Sequence, residues 1–185
     1  MDNALLVLCP DDPRWVPAAS DSLVKLLQSI QLIGQPLQEP MHFLTGERFL
    51  ELVAFMGCAP DIRLEPGADN QSFCHIRLLA QTDTVEFHGG NHTHKPRCPQ
   101  CRYPVNDWQD KISQWLETAN GAEWLCENCR HRASPWDYNW RRSAGFGRCF
   151  IEISNIYPKE AIPQQQLLDT LESRYGVRWH YFYQY

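Results

Sequence analysis

The chain has 185 residues, the length of one domain or of one domain carrying a small insert, and its 43 % hydrophobic content supports a buried core rather than a disordered chain. Its net charge of −5 is uneven: residues 91–148 hold nine Lys and Arg against six Asp and Glu, so +3, and the remainder holds eight against sixteen, so −8. Acidic flanks repel a phosphate backbone, which ranks nucleic acid behind protein as a partner, and no run reaches the roughly 20 apolar residues of a membrane helix.

In chain order, the acidic start Met1-Asp2-Asn3 and the short run Leu5–Leu8 lack a secretory pattern, so the expected location is the cytoplasm. Leu5 to Cys9 reads as a buried strand closed by a turn at Asp11-Asp12 between Pro10 and Pro13. Leu23, Leu26, Leu27 and Ile30 recur at helical spacing behind a Ser20 or Asp21 cap, with Gly34 and Pro36 as the stop. A second helix is predicted after Thr45, with Phe49, Leu50, Leu52, Val53 and Met56 as its apolar positions and Gly57 at its end. Asp61 to Gln71 reads as a loop. Phe73–Ala80 and Thr84–His88 read as a hairpin joined through Gln81-Thr82-Asp83. After the middle segment, Cys149–Ser154 alternates like a strand, Pro163 suits the first turn of a helix through Leu167, Leu168 and Leu171, and Gly176 closes it before a last strand, Val177–Tyr183. The closing strand-helix-strand can form a right-handed crossover between parallel strands.

The predicted fold class is therefore α+β: a mixed sheet with helices packed on it and an inserted module. Residues 1–91 and 149–185 together make the α+β domain, and residues 92–148 make the insert with a basic aromatic tail.

Eight cysteines in a short chain can mean a disulfide scaffold, but the spacing points elsewhere. Cys9, Cys58, Cys74 and Cys149 lie scattered in apolar stretches and read as core thiols. Cys98-Pro-Gln-Cys101 and Cys126-Glu-Asn-Cys129 are two tight pairs. A two-residue spacing aims both thiolates at one ion, and a second pair completes a tetrahedron, so Cys98, Cys101, Cys126 and Cys129 read as ligands of one structural zinc. This segment, about residues 92–132, resembles a zinc ribbon with two cysteine knuckles. Ribbon and rubredoxin knuckles carry glycine after the second cysteine. Arg102 and Arg130 stand there instead, which favours zinc over a rubredoxin-like iron site.

Between the pairs, Asn106 and Gln109 have capping-box spacing, and Trp108, Ile112, Trp115 and Leu116 share one helical face up to Asn120-Gly121. Glu123-Trp124-Leu125 returns as a short strand. These tryptophans read as packing of the module against the main domain.

His88, His92 and His94 crowd a short stretch, with Glu86 on the strand face of His88. They form either a polar loop or a second metal site of a metal-dependent enzyme. Beyond Cys129, Arg130, Arg132, Trp136, Tyr138, Trp140, Arg141, Arg142 and Arg148 crowd together with Asp137 as the only acid before Phe150. Arg pairs with carboxylates and phosphates, and interfaces favour Trp, Tyr and Arg. Arg130, Arg132, Trp136, Tyr138, Trp140, Arg141 and Arg142 are the candidate partner-binding residues, for a protein first and for a single-stranded nucleic acid second. No Gly-x-Ser-x-Gly or His-Glu-x-x-His motif is present. The expected function is a zinc-containing, non-enzymatic binding protein.

Overall fold

The structure, a computed structural model, describes residues 4–56, 62–67, 72–118, 122–157 and 159–185. Gly57, Cys58, both ends of the predicted loop (Asp61 and residues 68–71), and the Asn120-Gly121 stop lie outside the described residues. In chain order the elements are β1 (Ala4–Pro10), α1 (Ser20–Ser29), β2 (Ile33–Pro36), β3 (His42–Thr45), α2 (Phe49–Leu52), β4 (Val53–Phe55), β5 (His75–Leu79) and β6 (Glu86–Gly89). Then come α3 (Trp108–Glu117), β7 (Trp124–Leu125), β8 (Arg132–Ala133), a 3-10 turn (Pro135–Asp137), β9 (Ala144–Gly147), β10 (Phe150–Ile156), β11 (Ala161–Pro163), α4 (Gln165–Tyr175) and β12 (Trp179–Gln184). The result is α+β and strand-rich, and no helix among the described residues is long and apolar enough to cross a membrane.

The main sheet has the order β12-β1-β10-β5-β3-β2. Its pairings are antiparallel throughout, so the mixed sheet expected from the sequence is an antiparallel one. β10 and β12 do point the same way across α4, but β1 lies between them and pairs with both, so they are not neighbours. β1 is almost wholly buried because both faces of the sheet are covered, which explains its unbroken apolar run.

Several local expectations are corrected. The first helix ends at Ile30, not at Gly34, because Gln31 turns left-handed (φ 60°) and frees Ile33–Pro36 to become β2. Ala19 holds its N-cap position without a side-chain cap, and Asp21 pairs with Lys25 one turn on (2.5 Å). The second helix shrinks to one turn: Phe49 and Leu52 are buried as a helical face, but Val53–Phe55 leave it to pair with β11. A short apolar run of this kind suits helix or strand equally. The predicted hairpin does not form. β5 is claimed on both sides by β10 and β3, while β6 pairs with the distant β9. Pro163 ends β11 and does not open α4, whereas Gly176 (φ 69°) closes α4 as predicted.

Two cores result. One face of the main sheet, including Leu6, Leu8, Ile76, Leu78, Ile151 and Ile153, packs on Leu23 and Leu27 of α1 and on Leu167 and Leu171 of α4. Val7, Cys9, Phe150 and Phe182 make a small cluster on the other face. There β9 lies so close that a Cβ added at Gly145 would sit 2.1 Å from the Phe182 ring. The second core runs from Val85 to Phe146 and gathers Ile112, Trp115, Trp124, Tyr138, Trp140 and Ala144 with two of the cysteines. It thus includes β6, which precedes residue 92, and the β6–β9 ladder joins it to the main sheet.

Candidate metal centre

The two cysteine pairs adopt the same turn. In the first, the Arg102 N–H donates to the Cys98 carbonyl (2.9 Å) and the Cys98 N–H to the Tyr103 carbonyl (2.9 Å). In the second, the Arg130 N–H donates to the Cys126 carbonyl (3.0 Å) and the Cys126 N–H to the His131 carbonyl (2.9 Å). Arg102 and Arg130 both sit at φ 62°, the left-handed position that a knuckle reserves for glycine. The departure read in the sequence is therefore one of side chain, and the two turns share one backbone conformation. Each turn is held from outside. Arg97 exchanges two backbone hydrogen bonds with Asn139 (3.1 and 2.9 Å), tying the first knuckle to the tail, and β7 with β8 brackets the second.

These turns bring four sulfurs together. Cys98 Sγ lies 3.7 Å from Cys129 Sγ, Cys101 Sγ lies 3.6 Å from Cys126 Sγ, and all four lie within 4.8 Å of one another. Tetrahedral zinc with Zn–S bonds of about 2.3 Å requires sulfurs about 3.8 Å apart, so the donor set fits that ion. Cys98 and Cys126 are buried while Cys129 is exposed, which places the cluster at the rim of the second core. The thiols are unequal. Hydrogen bonds from the Asn128 side chain and the Tyr103 backbone bring Cys101 down to about 6. Cys129 receives a bond from the His131 backbone, yet desolvation and the three neighbouring sulfurs carry it up to about 12. Four thiolates in so small a space repel one another, and a bound cation is what lets all four ionise. Burial, with the same sulfurs behind it, raises the nearby Tyr138 hydroxyl to about 12.

The tail beyond Cys129 divides. Tyr138 (3 % exposed) and Trp140 (5 %) are not surface residues, as the sequence reading had them, but core. The alternation of Trp136, Tyr138 and Trp140 is broken by the 3-10 turn, whose Ser134–Asp137 capping box bends the chain inward. The Trp140 Nε1–H donates to the Pro135 carbonyl (2.9 Å), and its ring packs on Phe87, Trp108 and Phe146. Trp136 is half-buried, touching Trp115 on one side and carrying the Arg14 guanidinium 5.2 Å from its ring centre. Arg130, Arg132, Arg141 and Arg142 remain exposed. Arg148 does not: its Nε donates to the Thr82 carbonyl (2.7 Å) at the seam between the cores.

The three histidines do not converge. His88 lies between Glu86 (Nε2–Oε2 3.3 Å) and Glu152 (Nδ1–Oε1 3.3 Å) and stacks on Phe150. His92 stacks on Tyr185, and His94 is exposed. The four cysteines are the one metal-competent cluster among the described residues, so the second metal site expected as an alternative is not formed.

Two constellations escaped the sequence reading because their members lie far apart in the chain. Glu152, 3 % exposed, is ion-paired to Arg77 across the β10–β5 ladder (2.7 Å) and lies 3.3 Å from His88 Nδ1. Its place in an alternating strand gave no sign of a buried charge. Cys9, His180 and Asp11 form a thiol–imidazole–carboxylate row, with Sγ–Nε2 3.3 Å and Nδ1–Oδ1 2.7 Å. The Cys9 thiol is fully buried, and burial raises it well above its ordinary range. Comparison with protein-family models, with curated proteins and with solved structures returns no match to this chain.

Proposed function

We propose that this is a zinc-containing binding protein of the cytoplasm, with no catalytic role for its metal. Cys98, Cys101, Cys126 and Cys129 hold one structural zinc, and the zinc-ribbon-like module so folded presents Arg130, Arg132, Trp136, Arg141 and Arg142 to a protein partner. The observation that carries the reading is the four-sulfur cluster at tetrahedral spacing. Four thiolates fill the coordination sphere and leave no position for a substrate or water. Reduced thiols in that number suit a reducing compartment. Tyr138 and Trp140 contribute by building the core beneath the arginines.

A protein partner is favoured over single-stranded nucleic acid by the available surfaces. Nucleic-acid grooves stack bases on free aromatic faces. Here Trp108, Trp115, Trp124 and Trp140 pack on one another or on Phe87, Tyr138 and Phe146, and Arg14 takes a face of Trp136. The row Cys9–His180–Asp11 has the connectivity of a nucleophilic site, but a sealed thiol with a raised pKa is the opposite of an activated one.

The test is retention of zinc-loaded protein on immobilised polyglutamate, beside Arg130→Glu/Arg132→Glu/Arg141→Glu/Arg142→Glu. Retention is expected for the parent and lost in the variant. Equal retention would remove the arginine surface from the proposal.

A further inference from the structure

A cleft of about 250 Å³ opens between the two cores. Asp11, Pro13 and His180 form its wall on the main sheet, and the turn Asn139–Arg142 with Trp136 forms its wall on the module. Resting on the function proposed above, we infer that this cleft is where the partner docks, and that Arg141 and Arg142 there each receive a carboxylate of an acidic segment of that partner.

The charges in the cleft are asymmetric in their commitments. Both carboxylates are taken by the protein itself. Asp11 accepts from His180 Nδ1 (2.7 Å) and lies 3.8 Å from Arg178, and Asp137 accepts from the Ser134 N–H (3.2 Å). The guanidinium of Arg141 makes no hydrogen bond or ion pair among the described residues. Arg142 lies over the Tyr181 ring, 5.1 Å from its centre, and spends one donor on the Tyr181 hydroxyl (3.3 Å). Its other donors have no partner among the described residues. Guanidinium groups recognise carboxylates with two parallel hydrogen bonds, so what the cleft lacks is an anion.

The turn also holds the arginines in place. Arg141 and Arg142 are consecutive left-handed residues, φ 51° and 56°. Asn139 Oδ1 accepts the Arg141 N–H (2.9 Å), and the Arg142 carbonyl accepts the Tyr183 N–H (3.3 Å) from β12, the edge strand of the main sheet. Non-glycine residues in this conformation persist where surrounding bonds over-determine them, and such places cluster at binding sites.

Size and sign select the occupant. The volume is below the roughly 300 Å³ at which pockets for whole small molecules begin, so it suits side chains or a chain end. Asp11 and Asp137 in the walls repel a multiply charged phosphate more than a single carboxylate. Tyr181, Trp136 and the arginines are residue types that carry binding energy at protein interfaces.

The experiment is fluorescence anisotropy on the full zinc-loaded chain with a labelled peptide of alternating Glu and Gly, beside a labelled oligothymidylate. Arg141→Gly/Arg142→Gly removes both guanidinium groups and suits the left-handed backbone, so lost binding cannot be attributed to an unfolded turn. Lys25→Gln/Arg174→Gln, on α1 and α4, is the control. The expected result is peptide binding that weakens roughly tenfold or more in Arg141→Gly/Arg142→Gly and is unchanged in the control. Unchanged binding in Arg141→Gly/Arg142→Gly, with loss in Arg130→Gln/Arg132→Gln, would overturn the cleft but leave the wider arginine surface standing. A chain that binds oligothymidylate more tightly than the peptide, or that binds neither, would overturn both.

Discussion

Arg102 and Arg130 occupy glycine-type backbone (φ 62° each) after the second cysteine of each knuckle. A left-handed L-residue costs about 1 kcal/mol or more, so Arg102→Gly or Arg130→Gly should raise stability by about 0.5–1 kcal/mol, read as a higher midpoint in denaturant. A fall would mean that the arginine side chains hold the turns. The core thiols make a second prediction. Burial pushes Cys74 and Cys149 up to about 12 and raises Cys9 as well, against an ordinary value of 9.0. Between those values the native thiols keep protons that the unfolded chain has released, so their contribution to stability is present below pH 9 and is lost as pH rises from 9 towards 12. Alkylation of the folded protein at neutral pH should leave these three thiols unmodified, and rapid labelling of Cys9 would revive the thiol-enzyme reading. The knuckle cysteines were legible at this scale because two-residue spacing is itself the signal. Glu152 and the Cys9–His180–Asp11 row were not, because strand pairing joins residues that local pattern cannot link.

At the scale of elements, strands with an unbroken or alternating apolar pattern were readable: β1, β5, β10 and β12 fall where their patterns put them. Partner choice was not. Val85 and Phe87 turn towards the tryptophans of the module, and that long-range burial outweighs the short loop that would have paired β6 with β5. Likewise Tyr138 and Trp140 looked like a surface stripe until the capping box at Ser134 turned them inward. α3 is where its apolar spacing predicts, but its N-cap is Asp107 without a side-chain hydrogen bond, not the Asn106 capping box, and Leu116 of the predicted face is exposed; Trp115, 1 % exposed, is the centre of what the helix buries. Trp115→Ala should cost about 3–5 kcal/mol. Gly145 marks the contact of β9 with β12, and Gly145→Val should be still more disruptive locally, because the new side chain meets the Phe182 ring. Both effects can be read by urea denaturation. A Gly145→Val protein as stable as the parent would mean that β9 does not lie against the main sheet.

Across the whole molecule the chain has one core built on hydrocarbon and a second built on tryptophan and sulfur. The first has two helices and a central sheet to sustain it, and the second has four cysteines at its rim. Metal removal should therefore loosen residues 92–132 first, seen as a change in tryptophan emission, while hydrogen exchange in β1 and β10 stays slow. The α+β class was legible from the order of elements, and the four-cysteine cluster from the spacing of its pairs. The antiparallel strand order was not, since it depends on pairings between distant segments. The central claim is that one zinc, held by four thiolates, organises the module. Metal content per chain of untagged protein, measured by elemental analysis beside Cys126→Ser, tests it most directly. One zinc per chain, lost in the variant, is the predicted result. A parent without metal, or a variant that keeps its full complement, would contradict it.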